Sequence, residues 1–261
     1  MPPYNTSVVT TLRLCSADSL NDTDTNTSFR INFTKMNLSS VKRACVTYVS
    51  FANVFDNVTA PNNVVVIEYD NLGSTATITV PPGRYTATTL AAYITNEMVV
   101  TYGEADFMMS VVNDFYFSFD NPTGSALQIL STGTTMNDII GLLPSDLDTE
   151  MLPGPYTLSS PMDLMGPKTA YVYARQLSED FVDSEFRGSK FNVVATVPVA
   201  QTSYGAMVQW MANDIDSNKQ YFARMDGRDC TSIDVRLRDQ DGVLLDLGNK
   251  PLYIIVRLYH N

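Results

Sequence analysis

The chain has 261 residues, 44% of them apolar and only 17% charged, with a formal net charge of −11. That sign argues against DNA or RNA as a partner, because a nucleic-acid groove must neutralise phosphates with Lys and Arg. No apolar run of about eighteen residues occurs, so no membrane-spanning helix is expected.

The first residues, Met-Pro-Pro-Tyr-Asn-Thr, carry no basic region followed by an apolar stretch, so no secretory signal is expected. The N-x-[ST] triplets at Asn5, Asn21, Asn26, Asn32, Asn37 and Asn57 then reflect composition rather than glycan sites. Residues 1–27 are expected to form an N-terminal arm. Phe29, Ile31 and Phe33 alternate with polar partners as a strand does. Residues 44–55 are β-branched and aromatic, suited to a central strand. Strands at 64–69 and 75–80 flank Asp70-Asn71-Leu72-Gly73, a hairpin loop by composition.

Pro81-Pro82-Gly83 stops the second of these strands, since the prolines lack a ladder N–H and glycine permits a sharp turn. Thr86 fits an N-cap for a helix over 87–99, with Leu90, Tyr93, Ile94 and Met98 on one face. Strands at 108–112 and 115–119 enclose Asn113-Asp114 in a second tight hairpin, and 127–130 is a further strand. Thr134 or Thr135 is placed to cap a short helical turn through Ile139 and Ile140, ended by Gly141. Residues 144–168 hold Pro144, Pro153, Pro155, Pro161 and Pro167 and mark a long connection. Strands then resume at 169–174, 190–198, 204–211, 232–238 and 252–259. In 232–238, Ile233, Val235 and Leu237 alternate with polar residues, and Asp239-Gln240-Asp241-Gly242 turns the chain. Widely separated strands joined by long loops predict a mainly β fold: an antiparallel β-sandwich, a single jelly roll, with an inserted small α+β subdomain. The jelly roll takes 28–57 and 166–261, and the insertion with its Pro-rich connection takes 58–165.

Candidate chemistry is sparse. Cys15, Cys45 and Cys230 form no C-x-x-C pair, and the only histidine is His260. Zinc sites and Cys-His or Ser-His catalysis therefore lack their side chains, and the thiols are expected to be free in a reducing compartment. Asp180, Asp183 and Glu185 could supply a glycosidase carboxylate pair, against the plainer reading of a solvated loop. Asp239-Gln240-Asp241-Gly242 echoes the start of a calcium loop but lacks the closing glutamate, and between strands it fits a turn. Tyr204, Trp210, Tyr221 and Phe222 are candidates for a subunit interface or a glycan platform, with core packing as the default. No catalytic residue, cofactor site or metal site is assigned.

Several segments, in order, resemble the penton (vertex minor capsid) proteins of double-jelly-roll DNA viruses such as virophages and polinton-like viruses. They are Val41–Phe51 leading to Asn53–Val58, then Ile78-Thr79-Val80-Pro81-Pro82-Gly83-Arg84-Tyr85-Thr86, and Ile139-Ile140-Gly141-Leu142. Asp163-Leu164-Met165-Gly166-Pro167 follows, and last Ile233–Gly242 with Leu245-Asp246-Leu247. The resemblance implies a jelly-roll subunit of the virion, made in the host cytoplasm or nucleus. It would assemble as a homopentamer at capsid fivefold vertices, beside trimers of the major capsid protein. A spike or fibre docked on the vertex is a further partner it allows; nucleic acid and membrane insertion are not implied, nor is enzymatic activity. The Pro-Pro-Gly-x-Tyr-Thr piece also resembles parts of phage tail and fibre proteins. The alternative is thus a fibre-like or lectin-like β-domain binding a host-surface glycan or receptor.

Overall fold

The computed structural model describes residues 9–19, 25–33, 41–69, 74–103, 107–121, 126–177, 184–186, 189–191, 193–212, 223–228 and 231–260. The chain divides into two units, Met1–Phe55 with Pro167–Asn261, and Asp56–Gly166. The first unit opens with β1 (Val9–Cys15), β2 (Ser28–Asn32) and β3 (Val41–Ala52). The second holds β4 (Val64–Tyr69), β5 (Ser74–Thr79), α1 (Ala87–Tyr102), β6 (Met108–Val112) and β7 (Tyr116–Asn121). It continues through β8 (Leu127–Ile129), α2 (Asn137–Ile140), β9 (Glu150–Met151) and β10 (Gly154–Thr157). Back in the first unit come β11 (Thr169–Ala174), β12 (Ser184–Phe186), β13 (Ser189–Phe191) and β14 (Val193–Pro198). The last strands are β15 (Met207–Met211), β16 (Ala223–Arg228), β17 (Ser232–Arg238) and β18 (Tyr253–His260).

Two larger antiparallel sheets and a two-stranded β12-β13 hairpin build the first unit. One runs β1-β18-β3-β15, with β16 also paired to β3, and the other runs β14-β11-β17-β2. β16 meets Val41–Ala44 of β3 while β15 meets Tyr48–Ala52, so the two act as one interrupted strand along the same edge. Taking the sandwich strands in chain order, the first pairs with the last (β1·β18) and the second with the next-to-last (β2·β17). The third pairs with the sixth (β3·β15) and the fourth with the fifth (β11·β14). That nesting, a ribbon folded back on itself and closed as two sheets, is a jelly roll. The second unit occupies the connection between its third and fourth strands, β3 and β11.

Alternation explains the core. Leu12 and Leu14 of β1, Ile254, Val256 and Leu258 of β18, and Ile233, Val235 and Leu237 of β17 are all buried in one cluster. In β3 both Val46 and Val49 point inward, an odd spacing that a regular strand would place on opposite faces. A bulge resolves it: Ile255 pairs with Tyr48 and Val256 with Val46, leaving Thr47 as the extra residue. β1 falls within the stretch expected to be an arm. It is a seven-residue edge strand whose only two deeply buried apolar side chains sit among polar neighbours, a weak signal in sequence.

The second unit has a four-stranded sheet, β5-β4-β8-β9, and a three-stranded sheet, β10-β7-β6. Its core gathers Leu90, Ala91, Ile94 and Met98 of α1 with Phe117, Phe119 and Ile129. Thr86 caps α1 through a reciprocal pair: its hydroxyl accepts from Thr89 N at 3.2 Å, and Thr89 Oγ1 accepts from Thr86 N at 2.9 Å. The helix runs past 99 to Tyr102 and ends where Gly103 takes a φ of +74°. Asn113 and Asp114 both take positive φ, 51° and 63°, in the turn between β6 and β7. The 70–73 loop lies outside the described residues, but Tyr69 and Ser74 pair across the hairpin.

Thr134 and Thr135 do not cap α2; Met136 stands at that position. Their hydroxyls instead accept from Val66 N at 3.0 Å and Val64 N at 3.1 Å. β8 reaches only Ile67–Tyr69, so the β4 amides beyond it need other acceptors. Within the Pro-rich connection, β10 joins the sheet edge beside β7, a position where Pro155 can do without an N–H. No described helix is long and apolar enough to cross a membrane.

Candidate functional site

The aromatic candidates do not assemble into a described cluster. Trp210 sits on β15 opposite Val49 and packs, half-buried, against the sandwich core. Tyr204 is 52% exposed on the turn before β15. Asn53 secures that turn, its Nδ2 donating to Thr202 O at 2.6 Å while its own N donates to Ala206 O at 2.8 Å. Tyr221 and Phe222 lie outside the described residues.

Among the candidate carboxylates Asp239 is engaged in structure, as is Asp234. Asp180 and Asp183 lie outside the described residues, and Glu185 stands on β12. Asp239 Oδ1 accepts from the N–H groups of Asp241 and Val243, both at 2.8 Å, which makes the 239–242 segment an Asx turn. Burial raises the Asp239 pKa above its ordinary value despite those bonds. Asp234 takes a two-pronged pair from Arg30, its cross-strand neighbour, at 2.6 and 2.8 Å. That guanidinium, aided by Gln176, holds the Asp234 carboxyl below its usual range.

Sequence gave no hint of Asp146. It is fully buried in the second unit, and its carboxylate accepts from Leu143 N at 2.8 Å, Ser159 N at 3.3 Å, Tyr156 OH at 3.1 Å and the Ser159 hydroxyl. Burial opposes ionisation, but this ring of donors outweighs it and lowers the pKa. The group pins the loop after α2 to the segment after β10, and it faces no described cation. Among the described residues no group of His, Cys, Asp and Glu is placed to hold a metal ion.

Cys15 and Cys45 are free thiols, the first half-buried and the second buried. Burial pushes the Cys45 pKa up to about 11, with Arg257 pulling weakly the other way. Cys230 lies outside the described residues. His260 Nε2 lies 2.9 Å from Thr10 Oγ1 across the β1·β18 pair.

Three of the sequence-distant segments quoted above converge at the base of the second unit. Val58 and Gly83 exchange backbone hydrogen bonds at 3.1 and 3.0 Å, which seats the Pro-Pro-Gly turn on the entering chain. Asn57 Nδ2 donates to Tyr85 O at 2.8 Å and Leu164 O at 3.0 Å, and its Oδ1 accepts from Tyr85 N at 2.9 Å. Arg84 donates to Met165 O at 3.1 Å. Gly166, at φ +73°, is closely packed: a Cβ would lie 3.1 Å from Arg84 Nη1 and 3.3 Å from Asp56 O, so its neighbours would have to shift slightly.

The two outward faces of the sandwich differ. On the β14-β11-β17-β2 sheet the outward residues include Arg30, Asp234, Tyr171, Tyr173, Arg236 and Arg238, a face of charged and aromatic side chains with an internal ion pair. On the β1-β18-β3-β15 sheet the outward rows run Gln209–Ser50–Tyr253–Cys15 and Met211–Tyr48–Ile255–Arg13. Val9, Met207, Met211 and Tyr253 on that face are exposed at 43–67%. The signal in sequence was the near-continuous apolar run of Met207–Met211 and of 252–256, where a strand with one solvated face would alternate.

No family model matches the chain, and no curated protein matches it. Among solved structures it is similar to the crystal structure of the selenomethionine-labelled mavirus penton protein, with a TM-score of 0.60 and 11% identity. The match covers 97% of this chain and 99% of that one. At that identity the likeness is one of fold, and the fold is penton-like, as the ordered sequence resemblance implied.

Proposed function

We propose that this chain is a structural virion protein, the penton subunit that forms homopentamers at capsid fivefold vertices beside trimers of a major capsid protein. The reading is carried by one observation, the end-to-end likeness of fold to the mavirus penton protein, insertion included. It is supported by the ordered motifs that meet at the base of the insertion. A vertex subunit works by holding shape and closing a ring of head-to-tail contacts, which asks for rigid sheets and matched surfaces and for no reacting group. Asp239, Asp234 and Asp146 serve a turn, a cross-strand pair and a buried donor ring. Its place is the virion, with a spike or fibre as a further partner at the vertex.

The test is localised reconstruction of the parent particle's vertices, together with light scattering of the purified chain. Five copies around each vertex are expected. A trimeric assembly, or a chain that stays monomeric and is absent from particles, would overturn the proposal.

A further inference from the structure

We infer that the outward face of the β1-β18-β3-β15 sheet seats a second copy of this chain in a head-to-tail contact. This rests on the penton reading above and deepens it by naming the surface. The face combines exposed Met207, Met211 and Tyr253 toward one end and Val9 at the other with the exposed cations Arg13 and Arg257, and its described outward side chains include no carboxylate. Large apolar side chains grouped on one sheet face, with arginines among them, have the composition of a subunit contact rather than of a solvated surface.

Charge selects the occupant. The chain has 28 acidic residues against 17 cations. The second unit alone, Asp56–Gly166, holds thirteen Asp and Glu and a single cation, Arg84, a formal net charge of −12. Copies of this chain therefore offer abundant carboxylates to an arginine-bearing face. A two-fold contact of the face with itself would oppose arginine to arginine with no carboxylate between, which repulsion disfavours. A head-to-tail contact places the arginines against a different, acidic surface of the neighbour, the arrangement from which rings close.

The experiment compares the oligomeric mass of the full chain with that of Met211→Asp/Tyr253→Asp and of Arg13→Glu/Arg257→Glu, using light scattering, with circular dichroism as the folding control. The wild-type chain is expected at five times its 28.9 kDa. Each double variant is expected to be folded, with self-association weakened at least about tenfold. Met211 is 67% exposed, so Met211→Asp alone carries the test if the double variant does not fold. Folded variants that keep the wild-type ring overturn this inference and leave the penton reading standing. Variants that keep the ring but no longer enter particles assign the face to the major capsid protein and also overturn it. A wild-type chain that forms no ring, alone or in particles, removes the penton reading itself.

Discussion

Asn57 and Tyr85, 28 positions apart, are locked by a reciprocal pair of hydrogen bonds, Nδ2 to the Tyr85 carbonyl at 2.8 Å and the Tyr85 N–H to Oδ1 at 2.9 Å. The same amide reaches a third segment through Leu164 O. One buried side chain thus ties the entering chain, the Pro-Pro-Gly turn and the departing chain. No other side chain of similar size supplies both a donor pair and an acceptor in that geometry.

Asn57→Leu keeps the volume but strands three backbone groups. A loss of about 3 kcal/mol is expected, since each buried group left unpaired costs about 1–3 kcal/mol and partial relaxation recovers some of it. Hydrogen exchange of peptides spanning 81–86 and 163–166 checks this; unchanged protection would refute the role given to Asn57.

Gly141 and Gly103 both end helices with positive φ, at +82° and +74°. They differ in surroundings. A Cβ on Gly141 runs into the Ser160 carbonyl, whereas nothing lies within 4 Å of one on Gly103. Gly103→Ala should cost about 1 kcal/mol, the backbone preference alone. Gly141→Ala should cost about 3 kcal/mol or more, because the 160–161 backbone must move. Urea titration of the two variants tests the difference, and equal losses would count against it.

Asp146 has a folded-state pKa below its unfolded value, so its ionised form stabilises the fold at neutral pH. That contribution is fully present above the ordinary carboxylate range and fades as pH falls through the lowered folded value. Acid titration of stability should therefore be shallower for Asp146→Asn than for wild type, with the variant less stable at pH 7. Parallel curves would show that the ring of donors does not favour the charge.

Cys45 is buried with a pKa raised to about 11, so its thiol stays protonated at neutral pH. Iodoacetamide at pH 7.5 should modify Cys15 well before Cys45, with Cys45 reacting only after denaturation. Mass spectrometry of the two peptides measures the order, and early loss of Cys45 would place it nearer solvent than the packing shows.

The parts of the fold legible in sequence are those where local pattern and tertiary role coincide. Ile233, Val235 and Leu237 alternate because β17 has one buried face, and Thr86 marks a helix start because its hydroxyl meets the third amide of α1. β1 was hidden because an edge strand with two inward leucines resembles a polar arm. β10 was hidden because Pro155 reads as a breaker until the strand is known to lie at a sheet edge. Trp210 illustrates the limit for sites: its inward position depends on the phase of β15 against β3, which one short strand does not reveal. The Asp146 ring needs Leu143, Tyr156 and Ser159 brought together by chain reversals, and no spacing announces that.

The tied base of the second unit also has a meaning for exchange between genomes. Asn57 and Leu164 are bonded to each other, so the chain leaves the unit beside the point where it entered. A segment whose ends meet in this way can be lifted out, lengthened or traded for another without altering the distance the host strands must bridge. The second unit can then diversify as a removable cassette, while the eight-stranded frame that carries it keeps its own register.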